Sequence, residues 1–555
     1  IKKGKFKYIK EKNNYMNFDI IIKNGTIIDG TNKPSFKSDI GIIKDKISKI
    51  GTLNNSNAKK IINANGLIVS PGFIDMHTHS DISAISDPYN ESKIFQGVTT
   101  EVTGNCSYSP FPSGNKNPNT IKEGLWEKRG NADDPSTVWN WNTFDEYANH
   151  LSNIGTTMNI APQLGYAALQ VASGAIENRP ATKEEMTKMK KLASESIEQG
   201  AFSISTGLSV PPSAFSTTEE IIEICKSISH YDDVFYVTHA REGAGRHITK
   251  IEEAIEIGFK SEISVQFSHL AITDWRYYGE GPKMLKLFED AEAKGLDITY
   301  DMYPYTAAGA GLDQTMPLWS HSGGIEKFLD RLRDKKLRKK IRDEINDGID
   351  GLKQKWETIV ISSVKNTKNS NLIGLSIEEI ANKRNLDPAE TILQLTEEDE
   401  AVVSVIYHNR VEGDVQCFMD HRLAMIGSDG NAVSPDGFYK NGKPHPRFYG
   451  TFPRILGRYI REKRSKLKLE EAIYKMTAFP AWRLNLKKRG ALKENYYADI
   501  TIFDSKTVMD NATFENPHQY PDGINHVIVN GHLAVEDSKH TLKKTGKVLR
   551  RTDKY

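Results

Sequence analysis

Six residues carry side chains that hold metal ions or move protons: His77, His79, Cys106, His239, His269 and Asp429. The first two stand one residue apart in PGFIDMHTHSD, which runs from Pro71 to Asp81. In an extended chain the side chains at i and i+2 point the same way. The two imidazoles therefore face one point, and a metal ion is the commonest thing that convergent neutral imidazoles serve. An isolated His-X-His pair is a weak motif, and two neighbouring surface histidines are its plain alternative. The case must come from ligands elsewhere in the chain.

Those ligands need elements to carry them. Eight short apolar segments read as strands: GFIDMH, VTTEVTG, TMNIAPQ, GAFSIST, VFYVTH, SVQFSH, DITYDMYPY and LAMIGSD. Amphipathic helical patterns lie between many of them. TKEEMTKMKKLASESIEQG opens with a capping box at Thr182 and Glu185 and stops at Gly200. Buried parallel strands alternating with helices imply an α/β architecture, and eight of them imply an eight-stranded TIM-type barrel. The stretch from about 306 to 421 is too long for one connection. It is charged and largely helical in pattern (IEKFLDRLRDKKLRKKIRDEI, SIEEIANKR), and reads as a subdomain inserted before the last barrel strand. Its basic helix reads as a solvated face and not as a nucleic-acid contact. Short strands with Asn-Gly and Gly turns recur at both ends, over 16–70 and 490–555, and predict one small β domain built from both termini around a barrel over 71–489.

In such barrels, chemistry sits at the C-terminal ends of the strands. The first predicted strand ends in His77 and His79, the second leads to Cys106, and the fifth ends in His239. The sixth ends in His269 and the eighth in Asp429. Singly, each has a structural reading: a small buried thiol, a satisfied strand-end histidine, an Asx turn. Jointly they form a ligand set for one or two zinc ions plus a general base.

Composition sets outer bounds. Lysine and arginine total 74 against 72 acidic residues, a formal charge of +2 over 555 residues. That balance gives no electrostatic argument for nucleic acid or an anionic membrane. No apolar run approaches a membrane span. Three scattered cysteines, Cys106, Cys225 and Cys417, make no disulfide framework, so a reducing, cytoplasmic setting is expected. Cys225, within EEIIEICKSI, reads as a buried helix residue. The lysine-rich stretch from 1 to 15 lacks the apolar core of a secretory signal and is expected to be a disordered extension.

PGFIDMHTHSD, GVTTEVTGNCSYSP, GAFSISTGLSVPPSAFSTTEEI, THARE, SHL, DMYPYTA, MIGSDG, HPRFYGTFPRIL and ADITIFD together resemble the amidohydrolase superfamily, and within it the N-acyl-D-amino-acid deacylases. The resemblance runs from about 17 to 551. It implies a barrel with a small β-sandwich domain, and a zinc-dependent hydrolysis of a linear amide. Carried over by motif, Cys106, His239 and His269 would hold one zinc tightly. His77 and His79 would serve a second, optional position, and Asp429 would be the base. Many relatives bridge two metals with a carbamylated lysine on the fourth strand, but GAFSISTGL has no lysine and a thiolate takes that part.

The chain also departs from the pattern. Tyr166 and Gln170 replace a histidine and an arginine after the third strand. Val210 stands where a tyrosine is frequent, and Ala271 where a lysine is usual. The lysine and a tyrosine help to hold the substrate carboxylate in relatives, so Arg447, Tyr303 and Arg241 are the remaining candidate anchors. The implied substrate is a small N-acyl amino acid or D-amino-acid-containing peptide. The alternatives are a cyclic-amide hydrolase, which the missing lysine argues against; a deaminase, for which HARE would supply Glu242; and a binding homologue without turnover.

Overall fold

The computed structural model describes residues 17–54, 56–114, 117–126, 137–349 and 351–553. The extension expected over 1–15 lies outside them. Two parallel sheets form the centre. One pairs the strands Phe73–Asp75, Val98–Thr103 and Asn159–Pro162. The other runs in the order Leu164–Gly165, Ser203–Gly207, Phe235–His239, Ser264–Phe267, Ile298–Met302 and Ala424–Ile426. Hydrogen bonds join their edges on both sides: Phe202 N donates to Pro162 O at 3.1 Å, and Met76 N to Ile426 O at 3.2 Å. This is an α/β fold of the TIM-barrel type.

The strands are buried along their whole length apart from single residues at a few ends, as sheets covered on both faces require. Helices between them bury one stripe each. Lys183–Glu198 starts at Thr182, where Thr182 and Glu185 close a reciprocal capping box, and it buries Met186, Met189, Leu192, Ala193, Ser196 and Ile197. Thr218–Ile228 does the same from Thr217 and buries Cys225 completely.

Strands from both chain ends join one nine-stranded sheet. Ile500–Phe503 lies antiparallel to Ile68–Pro71, which continues through Asn17–Ile27 to Phe36–Ile43 and Lys46–Gly51. Alternating isoleucines, among them Ile20, Ile22, Ile40, Ile42, Ile500 and Ile502, form one of its cores.

The segment before the last central strand is largely helical, as its pattern predicts, and adds a small antiparallel sheet that the pattern did not show. Its helices, Ile325–Arg333, Lys335–Asp347, Ile377–Arg384 and Pro388–Glu398, share a core with an antiparallel sheet of Ala308–Gly311, Val403–Tyr407 and Ile359–Val364. The β-branched runs VISSV and VVSVIY form two of these strands, but AGAG has no strand preference of its own and pairs because its neighbour offers an edge. The basic helix Lys335–Asp347 has part of its charge paired, within the helix and with the helix Pro388–Glu398. Arg338 binds Glu390 at 2.7 Å and Glu397 at 2.9 Å, and Lys339 reaches Asp343 at 2.5 Å. Among the described residues no helix is long and apolar enough to cross a membrane.

Candidate metal centre and active site

Each singled-out ligand lies at or just past the C-terminal end of a central strand. His77 and His79 follow Phe73–Asp75, and Cys106 follows Val98–Thr103. His239 closes Phe235–His239, His269 follows Ser264–Phe267, and Asp429 follows Ala424–Ile426. Three of them leave the strand in an unusual way. Cys106, His269 and Asp429 have φ of 52°, 35° and 53°, in the left-handed region. Such backbone costs of order 1–3 kcal/mol per residue and persists where the surroundings hold it in place. Here the surroundings do: His269 N donates to Asp301 Oδ1 at 2.8 Å, and Asp429 N to His77 O at 2.8 Å. Glycines make room for these turns. A Cβ at Gly207 would stand 2.5 Å from Cys106 O, and one at Gly427 2.5 Å from His77 Cβ.

The donor atoms fall into two groups that share one member. Cys106 Sγ, His239 and His269 offer ligand atoms within 4.8 Å of one another, as do Cys106, His77, His79 and Asp429. Cys106 Sγ lies 3.3 Å from His77 Nε2 and 3.5 Å from His269 Nε2, and His239 Nδ1 lies 2.9 Å from His269 Nε2. Asp429 Oδ1 is 3.0 Å from His79 Nε2 and 3.5 Å from His77 Nε2. The sulfur thus stands between the two positions that the sequence assigns to separate ions.

These groups hold each other's charge. Burial raises the pKa of the Cys106 thiol, yet the His77 charge and hydrogen bonds from His239 and His269 pull it well below the ordinary value, which favours thiolate. Burial opposes charging His77, but Asp301 and Cys106 raise its pKa well above the usual range. Burial likewise opposes ionising Asp429, and Arg447, His79 and His77 outweigh it and hold the carboxyl well below its ordinary pKa. A thiolate and imidazoles crowded in a buried site, with His79 Nδ1 and His239 Nε2 lacking a hydrogen-bond partner, form a donor set that suits zinc.

Two further groups position the ligands. Asp301 is fully buried; its Oδ1 accepts from His77 Nδ1 at 3.1 Å and from His269 N, and its Oδ2 accepts from Gln266 Nε2 at 3.1 Å. It fixes which nitrogen His77 turns to Cys106. Asp75 accepts from Ser428 N at 2.7 Å and is paired with the buried Lys93 at 2.8 Å, and Lys93 also donates to Ser428 Oγ. Sequence reading passed over both. The signal was there for Asp301: a carboxylate inside an apolar strand, two residues before Tyr303, shares the strand face of a residue already singled out.

The three candidate anchors separate. Arg447 Nη1 pairs with Asp429 Oδ2 at 2.9 Å, and its guanidinium carbon lies 4.7 Å from the centre of the Tyr303 ring. Tyr303 Oη is buried without a hydrogen-bond partner. Arg241 turns away from the ligands. It binds Glu253 at 3.2 Å and the carbonyls of Ala214 and Ser216 at 3.0 and 2.8 Å, which ties its loop to a neighbouring helix and the segment before it. Glu242 is likewise held, by Lys250 at 2.6 Å and Thr273 at 3.2 Å. Tyr166 and Gln170 join a buried hydroxyl network, Tyr166 Oη with Ser216 at 3.0 Å and Gln170 Oε1 with Ser213 at 2.8 Å.

Imidazoles, a thiolate and a carboxylate on the C-terminal rim of an α/β fold of the TIM-barrel type define a metal-dependent hydrolase. The sequence profile of the amidohydrolase family matches residues 60–248 and 376–535. A D-aminoacylase of Alcaligenes xylosoxydans xylosoxydans is 33% identical over 535 residues, 96% of this chain and 98% of that protein. The crystal structure of a D-aminoacylase matches with a TM-score of 0.79 at 33% identity, over 96% of this chain and 100% of that one. An N-acyl-D-glutamate deacylase from Bordetella bronchiseptica, solved with zinc and a phosphonate mimic of the tetrahedral intermediate, gives a TM-score of 0.79 at 27% identity over the same shares. The chain belongs to the amidohydrolase family, in its D-aminoacylase group.

Proposed function

We propose that this protein hydrolyses the amide of an N-acyl-D-amino acid, or of a short peptide containing a D-amino acid, to a carboxylate and a free amine. The observation that carries the reading is the shared sulfur: Cys106 Sγ stands within 3.5 Å of both His77 and His269, and Asp429 closes the same cluster. Cys106, His239 and His269 would hold one zinc, with His77 and His79 beside Cys106 offering a second position. Zinc bound there supplies Lewis acidity to the acyl carbonyl and a nucleophile at neutral pH.

The chain's own residues do the rest. Asp429 accepts the proton of the attacking water and returns it to the leaving nitrogen, which leaves poorly as an unprotonated amine. Its Oδ1 faces His79 and its Oδ2 faces Arg447, so the carboxylate is fixed from both sides. Arg447 and Tyr303 would meet the substrate carboxylate; Arg447 Nε and Tyr303 Oη are both buried and without a hydrogen-bond partner.

The supporting frame is a closed eight-stranded barrel over 71–489 with an insertion over about 306–421 and a β-sandwich domain from 16–70 and 490–555. Free thiols at all three cysteines fit a cytoplasmic setting. The test is a panel of N-acetyl-D-amino acids, their L enantiomers, D-dipeptides and cyclic amides, assayed with the zinc-loaded protein. Zinc-dependent amine release from the D series supports the proposal. Turnover of cyclic amides alone, or ammonia release, overturns it.

A further inference from the structure

The insertion places a second arginine on the ring that Arg447 touches. Arg410 lies between the strand Val403–Tyr407 and the helix Glu412–Asp420. Its guanidinium carbon is 4.4 Å from the centre of the Tyr303 ring, against 4.7 Å for Arg447. Both arginines draw down the pKa of the Tyr303 hydroxyl, against the larger effect of burial, which raises it. Arg410 also lines a small cavity, with room for about one water molecule, together with Ala271, Tyr303 and Asp414.

The two arginines differ in what neutralises them. Arg447 has Asp429 at 2.9 Å. Among the described residues no ion pair is formed by Arg410, and its Nε is buried without a hydrogen-bond partner. Asp414, the acid among the lining residues, accepts from Gly279 N with both oxygens at 3.1 Å. Two cations converging on one tyrosine, one of them unpaired, together with an unpartnered hydroxyl, form a receptor for an anion. A planar guanidinium grips a carboxylate with two parallel hydrogen bonds, which a lysine cannot do.

We infer that Arg410 is a specificity-determining residue: together with Tyr303 it binds a carboxylate of the substrate, while Arg447 remains shared with Asp429. This rests on the proposed deacylase activity and deepens it. The insertion then supplies the site's free positive charge.

The experiment compares Arg410→Met and Arg410→Lys with the unchanged zinc-loaded protein, with zinc content and circular dichroism as controls for folding. Two substrate pairs are used: N-acetyl-D-leucine against its carboxamide, and N-acetyl-D-glutamate against N-acetyl-D-glutamine. A charge-assisted hydrogen bond corresponds to roughly tenfold to a hundredfold in kcat/KM. Arg410→Met should lose at least that much more on an acid than on its amide, and Arg410→Lys should recover part of the loss. A difference in the leucine pair assigns Arg410 to the α-carboxylate, and a difference confined to the glutamate pair assigns it to a side-chain carboxylate. Equal losses across both pairs, in a protein that still turns over N-acyl-D-amino acids with zinc, would overturn the role of Arg410 alone. No turnover of any N-acyl amino acid by the unchanged protein would overturn the deacylase reading and this inference with it.

Discussion

Asp429 Oδ1 and His79 Nε2 stand 3.0 Å apart, across 350 positions of sequence. The same oxygen lies 3.5 Å from His77 Nε2, so a single carboxylate closes the gap between the first strand end and the last. Everything asked of Asp429 follows from that position: its carboxylate borders the cluster, within 4.8 Å of the donor atoms of Cys106, His77 and His79.

Asp429→Asn should keep zinc and lose turnover. An amide cannot shuttle the proton, while Cys106 and the imidazoles still hold the metal. Loss of a proton-transfer group costs about 10²–10⁴-fold in rate. Parallel measurement of zinc content and kcat decides the matter. Activity within about tenfold of the unchanged protein would remove Asp429 from the proton path.

Replacing cysteines should split by position. Cys106→Ala should lower zinc content and activity together, because its sulfur belongs to both ligand groups. Cys225→Ala should alter neither beyond a packing effect, since that thiol is wholly buried in the helix Thr218–Ile228 and burial pushes its pKa up, away from thiolate. Full zinc occupancy in purified Cys106→Ala would exclude the ligand role.

Arg447→Met should affect acid and neutral substrates alike in part, because Arg447 also holds Asp429 Oδ2. The acid should fall further than its amide if the arginine meets the substrate carboxylate as well. kcat and KM measured on both separate these effects. Identical losses would confine Arg447 to orienting Asp429.

Glu101 should make stability fall as pH rises. It is fully buried beside Lys93 and Asp75, and burial pushes its pKa up to about 8 from an ordinary 4.5. A carboxyl whose folded pKa lies above its unfolded value stays protonated in the folded state after the unfolded chain has ionised. Its contribution is therefore complete below pH about 4.5 and lost progressively up to about 8. Denaturant midpoints across that window should decline less steeply in Glu101→Gln. An unchanged slope would mean that Glu101 is ionised in the folded protein, balanced by Lys93.

Much of this was legible beforehand for a physical reason. Strand ends follow from the short apolar segments, so His77, His79, Cys106, His239, His269 and Asp429 could be placed on one rim before their side chains were seen, and they lie at or just past those strand ends. Terminal strands announced themselves by their short apolar runs and the Asn-Gly and Gly turns between them. What sequence could not give was side-chain direction over long separations. Arg241 sits two residues past His239, yet its charge goes to Glu253 on its own side of the loop. Arg410 carries no strand-end signature, and only the insertion's small antiparallel sheet brings it to Tyr303. That sheet was obscured in turn because AGAG pairs by context and not by propensity.

The central claim is a zinc centre held by the thiolate of Cys106 with His239 and His269. X-ray absorption at the zinc edge, on protein loaded with one equivalent of zinc, tests it most directly. The expected result is one sulfur neighbour at about 2.3 Å and nitrogen or oxygen neighbours at about 2.0–2.1 Å, with the sulfur lost in Cys106→Ala. A shell of nitrogen and oxygen alone in the unchanged protein would contradict it.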